Sequence, residues 1–267
     1  MHGHTVALHA KCNLHLRNVN FDMKSVVVIP ARYRSSRFPG KPLVPLLGKP
    51  MVLWVAELSA KAVGTENVYV ATDDDRIADV VRNAGFNAVM TSEAALTGTD
   101  RLAEAAKQVE ADIYLNVQGD EPLLDPRDIL KVRDFKQQAM QAVINGFSWV
   151  SESEDPESVN IPKVITTESN RLVYMSRKAL PGYKDAKNAP SRYKKQVCIY
   201  AFTADQLAAY ADFGRKSALE ACEDIEILRF LELDVPVEMV ETAPGSLAID
   251  VPEDVAPVVE ALGRLRS

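Results

Sequence analysis

Histidine is missing from most of this 267-residue chain: His2, His4, His9 and His15 all fall near the amino end. The remainder therefore has no imidazole to serve as a general base or metal ligand. Cysteine is scarce as well. Cys12, Cys198 and Cys222 show no metal-ligand spacing, and their odd number argues against a disulfide framework. Reduced thiols in a cytoplasmic protein are the expectation. No apolar run reaches the ~18 residues of a membrane-spanning helix, so no membrane partner is expected. Positive charge is in deficit, with 31 Lys+Arg against 37 Asp+Glu and a net charge of −6. That excludes a global basic field for nucleic acid, so an anionic substrate must be held by a few placed cations or by metal. What remains, 47% hydrophobic and 25% charged, is the composition of a globular domain.

Residues 1–22 carry no strand or helix pattern, and their apolar stretch TVALHA is too short and polar for a secretory signal. They are expected to be an extension. Residues 23–267 read as one domain. The stretch 24–30, KSVVVIP, is a β-branched apolar run of the kind buried on both faces of a parallel sheet. Further strands are predicted at 67–71, 87–90 and 112–117, alternating with helices at 50–63, 76–84 and 100–109. This alternation predicts an α/β fold with a doubly wound, mostly parallel sheet. From about 151 the pattern changes. Strands at 163–167 and 197–202 enclose a basic stretch bearing Pro and Gly, so about 151–200 is expected to form an arm over the site or at a dimer contact. A helix at 219–233, a strand at 237–242 and a helix at 252–265 follow.

Loops follow strand ends at 31–43, 72–76 and 118–122, and ligands in such sheets sit outside the carboxyl ends of strands. The first loop gathers Arg32, Arg34, Arg37, Lys41, Ser35, Ser36 and Gly40 into one strand-to-helix connection. Cations, hydroxyls and backbone N–H groups at a strand end suit a polyphosphate. It is neither a Walker A loop nor a dinucleotide G-x-G-x-x-G. The second feature is NVQGDEP at 116–122, where Asp120 follows a strand and can hold a hard cation. A second carboxylate would come from IDVPED at 249–254. Taken alone, Asp250 reads as a helix N-cap with Pro252 in the first helical turn.

Taken together, these segments resemble one family. The loop IPARYRSSRFPGKPL is followed in order by ATDDDRI, TGTDRLAEA and NVQGDEP. Then come Lys163 and Val164, Ser176 and Arg177 with Pro181, Glu220 with Glu226, Arg229 and Glu232, and IDVPED. Over about 24–262 the chain resembles the 3-deoxy-manno-octulosonate (Kdo) cytidylyltransferases and, more distantly, the CMP-sialic acid synthetases. The resemblance implies a nucleotidyltransferase fold, a cytoplasmic homodimer and Mg2+ dependence. It implies transfer of CMP from CTP to the anomeric hydroxyl of Kdo or a close 2-keto-3-deoxy sugar acid, releasing pyrophosphate. An amino-Kdo or a nonulosonic acid is an alternative acceptor, and a non-catalytic nucleotide-binding protein is the alternative outside enzymes.

Carried over by motif, Arg32, Ser35 and Lys41 would hold the triphosphate. Thr97, Gly98, Thr99 and Arg101 would lie by the nucleotide. Asp120 and Asp250 would ligate magnesium. Gln118 and Arg177 would face the sugar acid, Arg177 as a bidentate partner of its carboxylate, with Gln196 and Glu226 on the same side. Two positions depart from the family pattern. Gln196 replaces a histidine, with Cys198 in place of a glycine, and Ile227 replaces a glutamine. Ile227 is expected to confront the sugar with an apolar group.

Overall fold

In the computed structural model, residues 23–34, 38–152, 154–244 and 247–265 are described; the extension 1–22 and Ser35 lie outside them. β1 (Ser25–Ala31) leads through the small hairpin of β2 (Pro45–Leu46) and β3 (Lys49–Pro50) into α1 (Met51–Val63). The alternation continues with β4 (Val68–Thr72), α2 (Asp75–Asn83), β5 (Asn87–Met90), α3 (Gly98–Ala106) and β6 (Ile113–Val117). Next come α4 (Pro126–Gln138), β7 (Val143–Trp149), β8 (Lys163–Thr166), β9 (Leu172–Ser176) and β10 (Lys194–Phe202). The chain closes with α5 (Ala204–Asp212), α6 (Ala218–Glu223), α7 (Leu228–Glu232), β11 (Val237–Glu241) and α8 (Val255–Arg264).

The main sheet runs β11-β7-β10-β6-β1-β4-β5, and on this path β10 alone runs against the others. β8 joins the sheet where Lys163 pairs with Lys195 of β10, and β9 hangs from β8 as an antiparallel hairpin. This hairpin is the body of the 151–200 excursion. β1 is apolar without alternation because it is covered on both faces. Val26 and Val28 enter one core with α3 and α5; Val27 and Ile29 enter the other with α1 and α4. Each such side chain contributes roughly 1.5–3 kcal/mol by leaving water.

Strand order reverses at β1, which has β4 on one side and β6 on the other. That is the switch point at which an open α/β sheet leaves a crevice past its strand ends. One predicted element is broken. The helix expected over 219–233 is two, because Asp224 takes a left-handed conformation (φ 51°) after α6. The apolar pattern of the two pieces reads as one helix. The break turns 224–227 inward and delivers Glu226 to the amino end of α3.

Candidate active site

The ends of β1 and β6 and the first half of β10 open into a cleft of about 790 Å3, lined by Arg32, Lys41, Asp120, Asp250, Gln196 and Glu226 among others. This lies in the upper part of the range for small-molecule sites, roughly 300–1,000 Å3. Lys41 begins a 3-10 turn entered through Gly40 at φ 72°, a left-handed conformation that favours glycine. Its ammonium donates to Asp120 Oδ2 at 2.5 Å and to the Ile249 carbonyl at 2.8 Å, and lies 3.8 Å from Asp250 Oδ1. Carboxylates from two motifs far apart in sequence thus converge on one cation. Arg32 lines the same cleft and is exposed, with no acceptor among the described residues.

The capping reading of Asp250 is corrected by its neighbour. Asp254 Oδ2 accepts from the N–H groups of Asp250 at 2.8 Å and Val251 at 3.0 Å. Asp254 therefore does the capping, and the Asp250 side chain is left at the cleft. Two carboxylates bridged by an ammonium mark a position of negative potential with hard oxygen donors, which fits magnesium. Among the described residues no group of three or more His, Cys, Asp or Glu is placed to hold a metal ion by itself. A metal held by Asp120 and Asp250 would complete its shell with phosphate oxygens and water.

The amino end of α3 forms another wall. Thr97 is its N-cap, accepting from Asp100 N at 3.1 Å and donating to Asp100 Oδ2 at 2.7 Å. Gly98 N and Thr99 N donate to the two oxygens of Glu226, at 3.0 and 2.8 Å, and Thr99 Oγ1 adds a bond of 2.6 Å. Glu226 is thus an intramolecular anion at a helix amino terminus, held by backbone donors and the dipole. Burial raises its pKa above the usual carboxylate range, partly offset by the bonds from Thr99 and Gly98. Thr97 and Gly98 line the cleft. Thr99 does not: it is buried beneath it and serves Glu226. A Cβ at Gly98 would come within 3.3 Å of the Gln118 amide, so Gln118 stands directly over this turn.

Two predicted arginines are already engaged. Arg101 is buried, with its guanidinium on Asp73 Oδ2 at 3.1 Å and on Thr91 Oγ1. It stiffens the wall and leaves little to offer a nucleotide. Arg177 lines the cleft, but its guanidinium donates to the carbonyls of Glu223, Val159 at 2.7 Å and Asp224 at 2.9 Å. It ties the 151–162 segment to the α6 end. In this arrangement it is a clamp; the bidentate grip on a sugar carboxylate requires it to let go. Gln196 also reaches the cleft, with its amide bonded inside the protein. Ile227 is a plain correction. It is 1% exposed and packs in the core with Phe230 and Tyr210, away from the cleft. Its neighbours Ile225 and Glu226 line the cleft instead.

Sequence reasoning gave no role to several groups. Arg229, fully buried, donates to Glu220 at 2.7 Å through both Nε and Nη2, and to Asp100 Oδ1 at 2.9 Å. It connects α6 and α7 to the Thr97 turn. Glu220 and Arg229 stand in a motif that was recognised, and a charge pattern inside an apolar helix was the signal. Burial pushes the Cys198 thiol and the Tyr200 phenol well up, with nearby carboxylates adding to it. Cys198 is accordingly a poor nucleophile.

Residues 26–236 match the cytidylyltransferase family model. A 3-deoxy-manno-octulosonate cytidylyltransferase of Geobacter metallireducens is 41% identical, covering 91% of this chain and 100% of that protein. An 8-amino-3,8-dideoxy-manno-octulosonate cytidylyltransferase of Shewanella baltica is 38% identical, over 87% and 96%. A solved structure of CMP:2-keto-3-deoxy-manno-octonic acid synthetase complexed with CTP superposes with a TM-score of 0.83 at 36% identity, covering 91% of this chain and 99% of that one. The inositol-1-phosphate CTP transferase of T. maritima shares the fold, with a TM-score of 0.64 at 16% identity over 92% and 97%. Motifs converging at one switch-point cleft, and a match over most of the chain, place this protein in the cytidylyltransferase family.

Proposed function

We propose that the chain transfers the cytidylyl group of CTP to the anomeric hydroxyl of 3-deoxy-manno-octulosonate or a close 2-keto-3-deoxy sugar acid. The observation that carries this reading is the meeting of Arg32, Lys41, Asp120 and Asp250 in one cleft. Similarity to the Kdo-type enzymes supports the acceptor.

The anomeric oxygen attacks the α-phosphorus. The bond from that phosphorus to the oxygen bridging to the β-phosphorus breaks, and pyrophosphate leaves with the electron pair. Such transfers depend on positioning and charge neutralisation more than on covalent help from the protein. Arg32 and Lys41 supply fixed positive charge to the triphosphate. Asp120 and Asp250 would hold Mg2+, which when bound offsets phosphate charge and eases deprotonation of the attacking hydroxyl. No histidine occurs from residue 16 onward, so the proton passes to a carboxylate or to solvent. Lys41 spends two of its three N–H donors on Asp120 and Ile249, which leaves one for a phosphate oxygen as the nucleotide enters.

The enzyme is read as cytoplasmic, supported by its reduced-thiol composition; no helix among the described residues is long and apolar enough to cross a membrane. It is read as a homodimer joined through the β8–β9 excursion, whose Val173 and Tyr183 are exposed apolar groups. Light scattering of the purified protein tests the dimer. An amino-sugar acid is the second acceptor reading, favoured by the similarity to the Shewanella enzyme. Pyrophosphate release with CTP over a panel of sugar acids decides between them. No release with any of them, with CTP and Mg2+ present, would overturn the proposal.

A further inference from the structure

Strand β10 carries two extra residues opposite β7: Val197 pairs with Gly146, yet Tyr200 pairs with Asn145. The bulge is built in, since a Cβ at Gly146 would meet the Ile199 side chain at 2.6 Å. Asn145 is fully buried and donates through Nδ2 to the carbonyls of Val197 and Ile199, at 3.0 and 2.9 Å. Carbonyls only accept, so this amide has one permitted orientation. Its Oδ1 must face the other way, where it accepts from Gln196 Nε2 at 3.1 Å. The second hydrogen of that nitrogen goes to the Tyr200 hydroxyl at 3.2 Å. Both hydrogens of the Gln196 amide are therefore spent inside the protein. Its Oε1 receives no bond from the described residues and, unlike the Asn116 amide, is not sealed off.

A glutamine at a cleft ordinarily serves as donor or acceptor by rotating its amide. This one cannot. Rotation would set Oε1 against Asn145 Oδ1 and forfeit that bond, and Asn145 cannot rotate in response. We propose that Asn145, acting through this one-way chain, makes Gln196 a specificity-determining acceptor, so that the cleft takes a sugar acid presenting a hydrogen-bond donor to Gln196 Oε1. The donor is a hydroxyl or an ammonium. Asn145 is a positioning residue, since its own side chain is buried in the sheet. The inference rests on the reading of the cleft as a sugar-acid site.

The test uses 2-keto-3-deoxy octonic acids in which one hydroxyl at a time is replaced by an amino or a fluoro group. Ammonium only donates, whereas fluorine cannot donate. At one carbon, kcat/KM for the amino acid should stay within about tenfold of the parent while the fluoro acid loses more than about tenfold. Gln196→Met should bring the two analogues at that carbon to within about threefold of each other and leave the other carbons alone. Asn145→Leu should shrink the same ratio. In case that variant does not fold, a readout without substrate uses the wild-type enzyme. The Gln196 side-chain amide, assigned by its loss from the NMR spectrum of Gln196→Met, should exchange slowly with solvent because both hydrogens are bonded. A fast-exchanging Gln196 amide overturns the proposal. So does the absence of any carbon whose amino-to-fluoro ratio collapses in Gln196→Met. If no acid is turned over at all, the sugar-acid reading falls and the ligand part with it, while amide exchange still decides the Asn145–Gln196 arrangement.

Discussion

Single side chains decide which carboxylate does what at the cleft. Asp250 and Asp254 are four positions apart, and either could cap the last helical segment by type alone. The backbone donors reach Asp254, which frees Asp250 for Lys41. The two should therefore separate on substitution. Asp250→Ala and Asp120→Ala should each lower kcat/KM by about 100-fold or more, ~3 kcal/mol of transition-state stabilisation. Asp254→Ala should instead lower thermal stability by about 1 kcal/mol. Steady-state kinetics alongside melting curves check this, and near-normal turnover by Asp250→Ala would remove it from the proposed magnesium ligands.

Lys136 gives a pH prediction. Its ammonium is fully buried and donates to the carbonyls of Met140 at 2.9 Å and Ala142 at 2.5 Å, and to Gln206 Oε1 at 2.7 Å. Burial lowers its pKa to about 7. The unfolded chain then holds this proton up to a pKa near 10.4, while the folded chain loses it near 7. Between those values the unfolded state binds more protons, so the Lys136 contribution should make stability rise with pH. Melts of wild type minus Lys136→Met from pH 7 to 10 should show that positive slope, and a flat difference would refute it.

Among the elements, the amino end of α3 depends on α6 and α7. Arg229 holds Asp100, Asp100 holds Thr97, and Glu226 holds Gly98 and Thr99. Arg229→Met leaves Glu220 buried and unpaired, which should cost about 3–5 kcal/mol. The pair Arg229→Met with Glu220→Leu removes both charges and should recover much of that stability. Because Asp100 is still released, KM for CTP should stay raised several-fold in the double variant. A double variant with normal KM would make the network structural only. Ile227→Gln, which a family pattern suggests at the sugar, instead places an amide in the apolar core. It should cost about 1–3 kcal/mol of stability and leave acceptor preference unchanged.

Across the whole molecule, the family match spans 26–236 and the first 22 residues lie outside the described structure. A chain starting at Met23 should melt within about 2 °C of the full chain, since residues 1–22 carry no strand or helix pattern and no family motif in their sequence. Its kcat/KM should agree within about twofold, and a larger loss would give the extension a structural role.

Periodicity and local chemistry carried much of this protein. The buried run at 24–30, the strand–helix alternation and the polar loops at strand ends are local patterns, and together they locate the cleft at β1 and β6. Motif order assigned the cations and carboxylates to it. Direction and partnership were not legible, because both depend on groups distant in sequence. The αL residue Asp224 breaks a continuous apolar pattern, and the reason lies in the bonds that this break allows, from Arg229 to Asp100 and from the α3 amino end to Glu226. Whether Ile227 faces core or cleft is settled by the turn after that break. Whether Arg177 grips a substrate or three carbonyls, and which way the Gln196 amide points, is settled by acceptors that the folded chain brings beside them. A side chain's type is written in the sequence, but its unspent hydrogen bonds are what remain after the fold has used the rest.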